Sequence, residues 1–129
     1  MIRDNFSLAR LNGSDGFVIS GAPEGDGDEY HSVVSLAGDM NGDGFEDVIF
    51  SAAHSGGETS PGITYVVFGS DQGFNSSFNV STLDGTNGFR LNGPSSSYQS
   101  GYTISSAGDL NGDGFDDIVL GSSVWGLQN

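Results

Sequence analysis

The sequence has no cysteine, few basic residues and no long apolar run. Without cysteine it can form neither a disulfide scaffold nor a thiolate metal site. Three basic residues against 17 acidic ones give a formal net charge of -14, which opposes binding to nucleic acids or anionic lipids by charge attraction. No run of about 18 apolar residues predicts a membrane span, and residues 1–5 do not resemble the start of a signal peptide. If the protein is exported, we therefore expect its signal to lie elsewhere or to have been removed.

Histidine is also scarce, and the two present, His31 and His54, do not form a catalytic pattern. His31 is close in sequence to Asp28 and Ser32, but neighbours in a strand point to opposite faces, so this adjacency does not make a triad. The serines lie in loop-like and strand-end segments rather than in a nucleophile motif. We therefore expect no catalytic residues and a protein that is not an enzyme.

Two acidic nonapeptides are the most regular feature of the chain: residues 39–47 read DMNGDGFED and residues 109–117 read DLNGDGFDD. Both place oxygen-bearing side chains at positions 1, 3, 5 and 9, and glycines at positions 4 and 6, where the backbone must turn sharply. Ca²⁺ binds six to eight oxygens at about 2.3–2.6 Å. The pattern predicts calcium loops. In the first, the expected ligands are the side chains of Asp39, Asn41, Asp43 and Asp47 and the carbonyl of Phe45.

Two other interpretations of the nonapeptides were weighed. Asp, Asn and Gly are common in solvated β-turns, but two near-identical copies argue against chance. An EF-hand or dockerin loop needs an acidic ligand at position 12, where this chain has Phe50 and Leu120. Both residues lie in apolar β-type runs, so each loop is expected to lead into a strand rather than a helix.

Self-comparison shows that the chain repeats itself. Residues 83–93 match residues 11–21 at an offset of 72, and the second nonapeptide matches the first at an offset of 70. Short runs of β-branched and aromatic residues predict strands at 32–36, 48–50, 63–68, 89–91, 101–105 and 118–120, while 70–79 resembles a linker. Four strands in about 70 residues are typical of one propeller blade. We predict an all-β fold of four-stranded antiparallel blades, about two per chain.

Segments 37–48 and 107–118, with YVVFG at 65–69 between them, closely resemble the FG-GAP repeats of integrin α-subunit β-propellers and of related bacterial surface proteins. The resemblance implies a module for adhesion or recognition, extracellular or on the cell surface, in which the calcium loop joins the innermost strand of a blade to the next. It implies about two Ca²⁺ per chain. By position, the implied ligands are Asp39, Asn41, Asp43, Phe45 and Asp47, and Asp109, Asn111, Asp113, Phe115 and Asp117.

A propeller closes with about four to eight blades, more than this chain encodes. We expect either a piece of a longer repeat array or a ring of identical chains, with three chains favoured and four as the second choice. Residues 1–31 would complete a neighbouring blade, residues 32–93 would form the first blade, and residues 94–129 would form an incomplete second blade.

The sequence favours a structural, adhesive or protein-interaction role. Lectin-like glycan binding is an alternative, because Tyr30 and Tyr98 occupy matching loop positions where they could stack on a sugar. An accessory repeat module of a calcium-dependent hydrolase is another, although the chain has no segment that fits a catalytic domain.

Overall fold

The computed structural model describes residues 7–22, 32–53, 61–95 and 98–124, and within these ranges the regular structure is almost entirely strand. The strands are β1 (Val18–Ser20), β2 (Ser32–Gly38), β3 (Asp47–Ala52), β4 (Ile63–Val67), β5 (Ser77–Asn79), β6 (Gly88–Asn92), β7 (Tyr98–Gly108) and β8 (Asp117–Val124). Two 3-10 turns occur, at Leu8–Arg10 and Val80–Thr82. None of the described helical segments is long and apolar enough to cross a membrane. The all-β prediction is confirmed.

Strands β2, β3, β4 and β6 form a four-stranded antiparallel sheet, which we call the first sheet. Its two central strands read DVIFSA and ITYVV, and their β-branched and aromatic side chains suit a sheet that is covered on both faces. Phe50 lies opposite Tyr65 across the β3–β4 pair, and their rings stack at 5.0 Å. Such cross-strand aromatic pairs fix the register of neighbouring strands.

Strands β7 and β8 form a second antiparallel sheet, with no further strand paired to it among the described residues. The buried core lies where this second sheet packs on the first, and residues of both sheets contribute to it. Its buried members are Ala37, Ile49, Val66 and Ile104, and the partly buried ones are Val33, Met40, Phe68, Phe89, Ile118 and Leu120. Neither sheet is therefore independent of the other.

A third, small sheet corrects the linker prediction for residues 70–79. Residues Ser77–Asn79 form strand β5, which pairs in parallel with β1. Aromatic contacts support this pair: Phe74 stacks on Phe17 at 4.1 Å and meets Phe78 edge-on at 6.1 Å. The Ser- and Asn-rich sequence is typical of a loop, but the partner strand, 59 residues away, allows it to pair.

The repeat seen in the sequence at an offset of 72 is also a repeat in structure. Gly13 donates its N–H to the carbonyl of Gly16, and Gly85 donates to Gly88, both at 2.9 Å. In each copy an Asx side chain accepts the N–H two residues later, Asn12 from Ser14 and Asp84 from Thr86, both at 2.9 Å. The same turn therefore precedes β1 and β6.

The carboxylate of Asp84 makes this turn sensitive to pH. The hydroxyl and the N–H of Thr86 donate to Asp84 Oδ1, and they hold the pKa of Asp84 below its ordinary value of 3.8. A lowered pKa gives stability that is present above the unfolded value and is lost as pH falls through the folded value. We expect the Thr86 amide resonance in NMR to titrate with a midpoint below 3.8. Thr86→Val should raise that midpoint, and an unchanged midpoint would contradict the assignment.

Candidate metal centre

Each acidic nonapeptide forms the connection inside an antiparallel pair, residues 39–46 between β2 and β3 and residues 109–116 between β7 and β8. The expectation that each loop leads into a strand is confirmed. A β-bulge precedes both loops, after Leu36 in β2 and after Ser106 in β7. The bulges end at Gly38 and Gly108, whose φ angles of 76° and 64° suit glycine. The two corners are thus built in the same way.

In the first loop, the carboxylate of Asp39 is the centre of the turn. Its Oδ1 accepts the N–H groups of Gly42 at 2.7 Å and Asp43 at 3.0 Å, and its Oδ2 accepts that of Gly44 at 2.8 Å. Gly42 and Gly44 have φ angles of 76° and 90°, which bring the backbone around the carboxylate. Sequence position 1 of the loop therefore organises the backbone from within.

The next two predicted ligands continue the pattern. Asn41 Oδ1 accepts the N–H of Asp43 at 3.1 Å, and Asp43 Oδ1 accepts the N–H of Phe45 at 2.9 Å. The Asn41 amide also donates to Asp43 Oδ2 at 2.9 Å. The side chains at positions 1, 3 and 5 thus lie on the inner side of one tight turn.

Asp47, at position 9, is fully buried, with 0% of its surface exposed. Its Oδ2 accepts the N–H of Met40 and its Oδ1 that of Gly69, each at 2.8 Å. Burial raises the pKa of Asp47 above its ordinary value, and the charges of Asp43 and Asp39 raise it further, whereas the two N–H donors lower it. The first loop therefore gathers negative charge around one desolvated carboxylate.

The second loop repeats these hydrogen bonds. Asp109 accepts three backbone N–H groups and Asp117 accepts that of Leu110: the distances are 2.8 Å from Gly112, 3.0 Å from Asp113, 2.9 Å from Gly114 and 2.8 Å from Leu110. The N–H of Gly114, followed by those of Asp113 and Gly112, lowers the pKa of exposed Asp109. Asp117 is only half-buried, since no described strand pairs with β8 as β4 pairs with β3.

The residues fit calcium by the chemistry of their donors, which are carboxylate, amide and carbonyl oxygens only. Neither loop contains a basic residue that would neutralise the carboxylates. In the part of the chain that the structure describes, no three His, Cys, Asp or Glu side chains converge closely enough to hold a metal ion. The loop carboxylates instead accept the loop's own N–H groups. Coordination is thus a proposal, taken up below.

The structure also joins the two loops directly, through what we call the inter-loop contact. Asp39 donates its N–H to Asp116 Oδ2 at 2.8 Å, and its carbonyl accepts the N–H of Asp116 at 3.0 Å. A Cβ at Gly38 would lie against the Asp116 side chain, and a Cβ at Gly42 would lie 2.7 Å from the Phe115 ring. Sequence reasoning missed Asp116. The available signal was the acid at position 8 of both loops, Glu46 and Asp116, which the predicted ligand set leaves unused.

Comparison with known proteins agrees with the repeat. The family profile described as FG-GAP repeat matches residues 100–129. The chain carries an FG-GAP, integrin-like repeat. It is 30% identical over 117 residues, 91% of its length, to a protein named integrin alpha-V from Gallus gallus. The chain spans 10% of that relative's length. No solved structure matches the chain significantly.

Several residues considered above lie outside the described ranges: Asp28, Tyr30, His31 and His54. For Tyr98 the structure describes the backbone, in β7, but not the side chain. Among the described residues, the two acidic loops are therefore the candidate functional feature.

Proposed function

We propose that this chain is a calcium-binding FG-GAP module of a β-propeller, with a structural, adhesive or protein-interaction role outside the cell and no enzymatic activity. The observation that supports calcium is the recurrence of one loop, with the same hydrogen bonds from the same positions, at both corners. The similarity to integrin alpha-V over most of the chain supports the adhesion or interaction role and the location.

In the first loop, the role of the proposed ion is to offset the repulsion between carboxylates. Asp39, Asp43 and Asp47 repel one another when all are charged: burial is the main cause of the raised pKa of Asp47, and the charges of Asp43 and Asp39 add to it. Two unit charges about 4 Å apart repel by about 4 kcal/mol at an effective dielectric constant of 20. A divalent cation bound to these carboxylates, to Asn41 and to the carbonyl of Phe45 would reverse that repulsion. Bound calcium would thus stabilise the β2–β3 corner.

The second loop offers the equivalent ligands Asp109, Asn111, Asp113, Phe115 and Asp117. Two ions would reduce the formal charge of the chain from -14 to -10. If the ions bind only the folded chain, calcium at a hundredfold above Kd adds about 2.7 kcal/mol of stability per site. A constitutive structural role suits the weak affinity of extracellular modules, about 10⁻⁴ to 10⁻³ M.

Calcium titration by calorimetry, with thermal melts in calcium and in EDTA, tests this function. We expect two Ca²⁺ per chain and a lower melting temperature in EDTA. Asp43→Ala and Asp113→Ala should each leave one site and cost about 2.7 kcal/mol in saturating calcium. Asp71→Ala is the matched control, since Asp71 is an exposed acid outside both loops. Absence of binding together with an identical melt in EDTA would refute the calcium assignment.

A further inference from the structure

We propose that the chain binds a second copy of itself head to tail, with the open side of the second sheet of one copy on the open side of the first sheet of the next. This goes beyond the proposed function, because the contact is made by groups that are not calcium ligands. The proposed contact between two copies repeats the inter-loop contact that is seen within one chain.

The glycines at the two corners show that the surface covered at the first loop is uncovered at the second. Gly38 and Gly42 are closed off by Asp116 and Phe115. A Cβ at their equivalents at an offset of 70, Gly108 and Gly112, would meet no described residue within 4 Å. The same surface that receives a Phe-Asp pair on the first loop is therefore exposed on the second.

The apolar side chains next to this surface show the same asymmetry. Ile49 is 0% exposed in the core, whereas its equivalent Val119 is 52% exposed. Met40 packs against the core, whereas its equivalent Leu110 is 71% exposed. On the second sheet, the face that corresponds to the buried face of the first is thus uncovered.

On the first sheet, the opposite is found: residues are exposed there whose equivalents on the second sheet are buried. Ile104 of the second sheet is 9% exposed because it packs on the first sheet, but its equivalent Val34 is 70% exposed. The Phe-Asp pair that fills the contact within the chain has the equivalents Phe45 and Glu46, and both are exposed. Along β2 and the loop that follows it, the first sheet therefore exposes a copy of the surface that the second sheet buries.

The two open surfaces complement each other as the buried ones do. In a neighbouring copy, the Glu46 carboxylate would accept the N–H of Asp109, as Asp116 accepts that of Asp39. The Phe45 ring would cover Gly112, while Val34 would bury apolar surface against the side that carries Leu110 and Val119. The occupant is a second copy, because the surface continues an interface that the chain already forms with itself. Such head-to-tail contacts add units in one direction until a ring closes.

Light scattering across a size-exclusion peak, at millimolar calcium and again in EDTA, tests the proposal. We expect a mass of at least twice 13.3 kDa in calcium. Leu110→Glu should return the chain to the monomer mass. The control is Leu8→Glu, because Leu8 is 74% exposed, as Leu110 is, but lies outside both surfaces. A wild-type monomer in both buffers, or a Leu110→Glu chain that associates as the wild type does, would overturn the proposal.

Cross-linking tests the direction of the contact, because the chain has no native cysteine. We would mix a Glu46→Cys chain with a Leu110→Cys chain and add a short bis-maleimide. A mixed dimer is expected, and a mixture of Leu8→Cys with Leu110→Cys should give none. Equal yields in both mixtures would exclude the head-to-tail geometry. Calcium titration remains a separate measurement, so failure of the calcium assignment and failure of docking are distinguishable.

Discussion

Gly38→Ala is expected to lower the free energy of unfolding by about 4 kcal/mol. The φ angle of 76° makes any side chain strained there, by about 1 kcal/mol. The new Cβ would also lie 2.6 Å from the Asp116 Cβ, which is too near the backbone to swing away. Asp116 would have to leave, and a hydrogen bond to a charged group contributes about 1.5–3 kcal/mol. The inter-loop contact would open.

Gly108→Ala is the matched control for Gly38→Ala. Its φ of 64° imposes a similar strain, but a Cβ there meets nothing within 4 Å. We expect it to cost about 1 kcal/mol. Urea denaturation of both variants, at concentrations where the chain is a monomer, gives the comparison. Equal losses of stability would mean that the inter-loop contact contributes nothing beyond backbone strain.

Asp47→Ala is expected to lower the free energy of unfolding by about 5 kcal/mol in saturating calcium. It removes a proposed ligand, and with it about 2.7 kcal/mol of linked binding energy. It also leaves the N–H groups of Met40 and Gly69 without their acceptor, at about 1–3 kcal/mol for each that stays shielded from water. A loss of that size is comparable to the whole stability of a small domain.

Asp117→Ala separates the contribution of calcium binding from that of the hydrogen bonds to buried N–H groups. Within the part of the chain that the structure describes, Asp117 accepts the N–H of Leu110, and Leu110 is 71% exposed, so water can replace the lost acceptor. We expect a loss of about 3 kcal/mol in calcium, nearly all of it from the ion. In EDTA the difference between the two variants in free energy of unfolding should be smaller. Without calcium, the charge of Asp47 is buried and destabilising, so its removal offsets part of the loss. Equal losses of stability for Asp47→Ala and Asp117→Ala in calcium would contradict a stabilising role of the Asp47–Gly69 hydrogen bond.

Local pattern was sufficient to predict six of the eight described strands, all except β1 and β5. The β-branched runs at 48–50 and 63–68 lie within or overlap β3 and β4, and the acidic loops lie at the corners where the repeat placed them. These features depend on residues close in sequence. A strand needs alternation or apolar runs, and a tight oxygen-rich turn needs glycines at fixed spacing, so both are legible without tertiary information.

The features that the sequence did not reveal all depend on distant partners. Strand β5 has a loop-like composition, and only its pairing with Val18–Ser20 makes it a strand. Asp116 acts on Asp39, 77 residues away. The burial of Asp47 depends on Gly69, 22 residues away. The spacing within the nonapeptides carries no information about any of these contacts.

The parallel pairing of β1 with β5 has a consequence for how the chain is made. Strands β2 and β3 meet a partner soon after they leave the ribosome, since each pairs with the next strand along the chain. Val18–Ser20 must wait until Ser77–Asn79 has been synthesised. Contacts between distant segments form late because closing a long loop costs entropy. Among the described strands, β1 is therefore the one that waits longest for its partner.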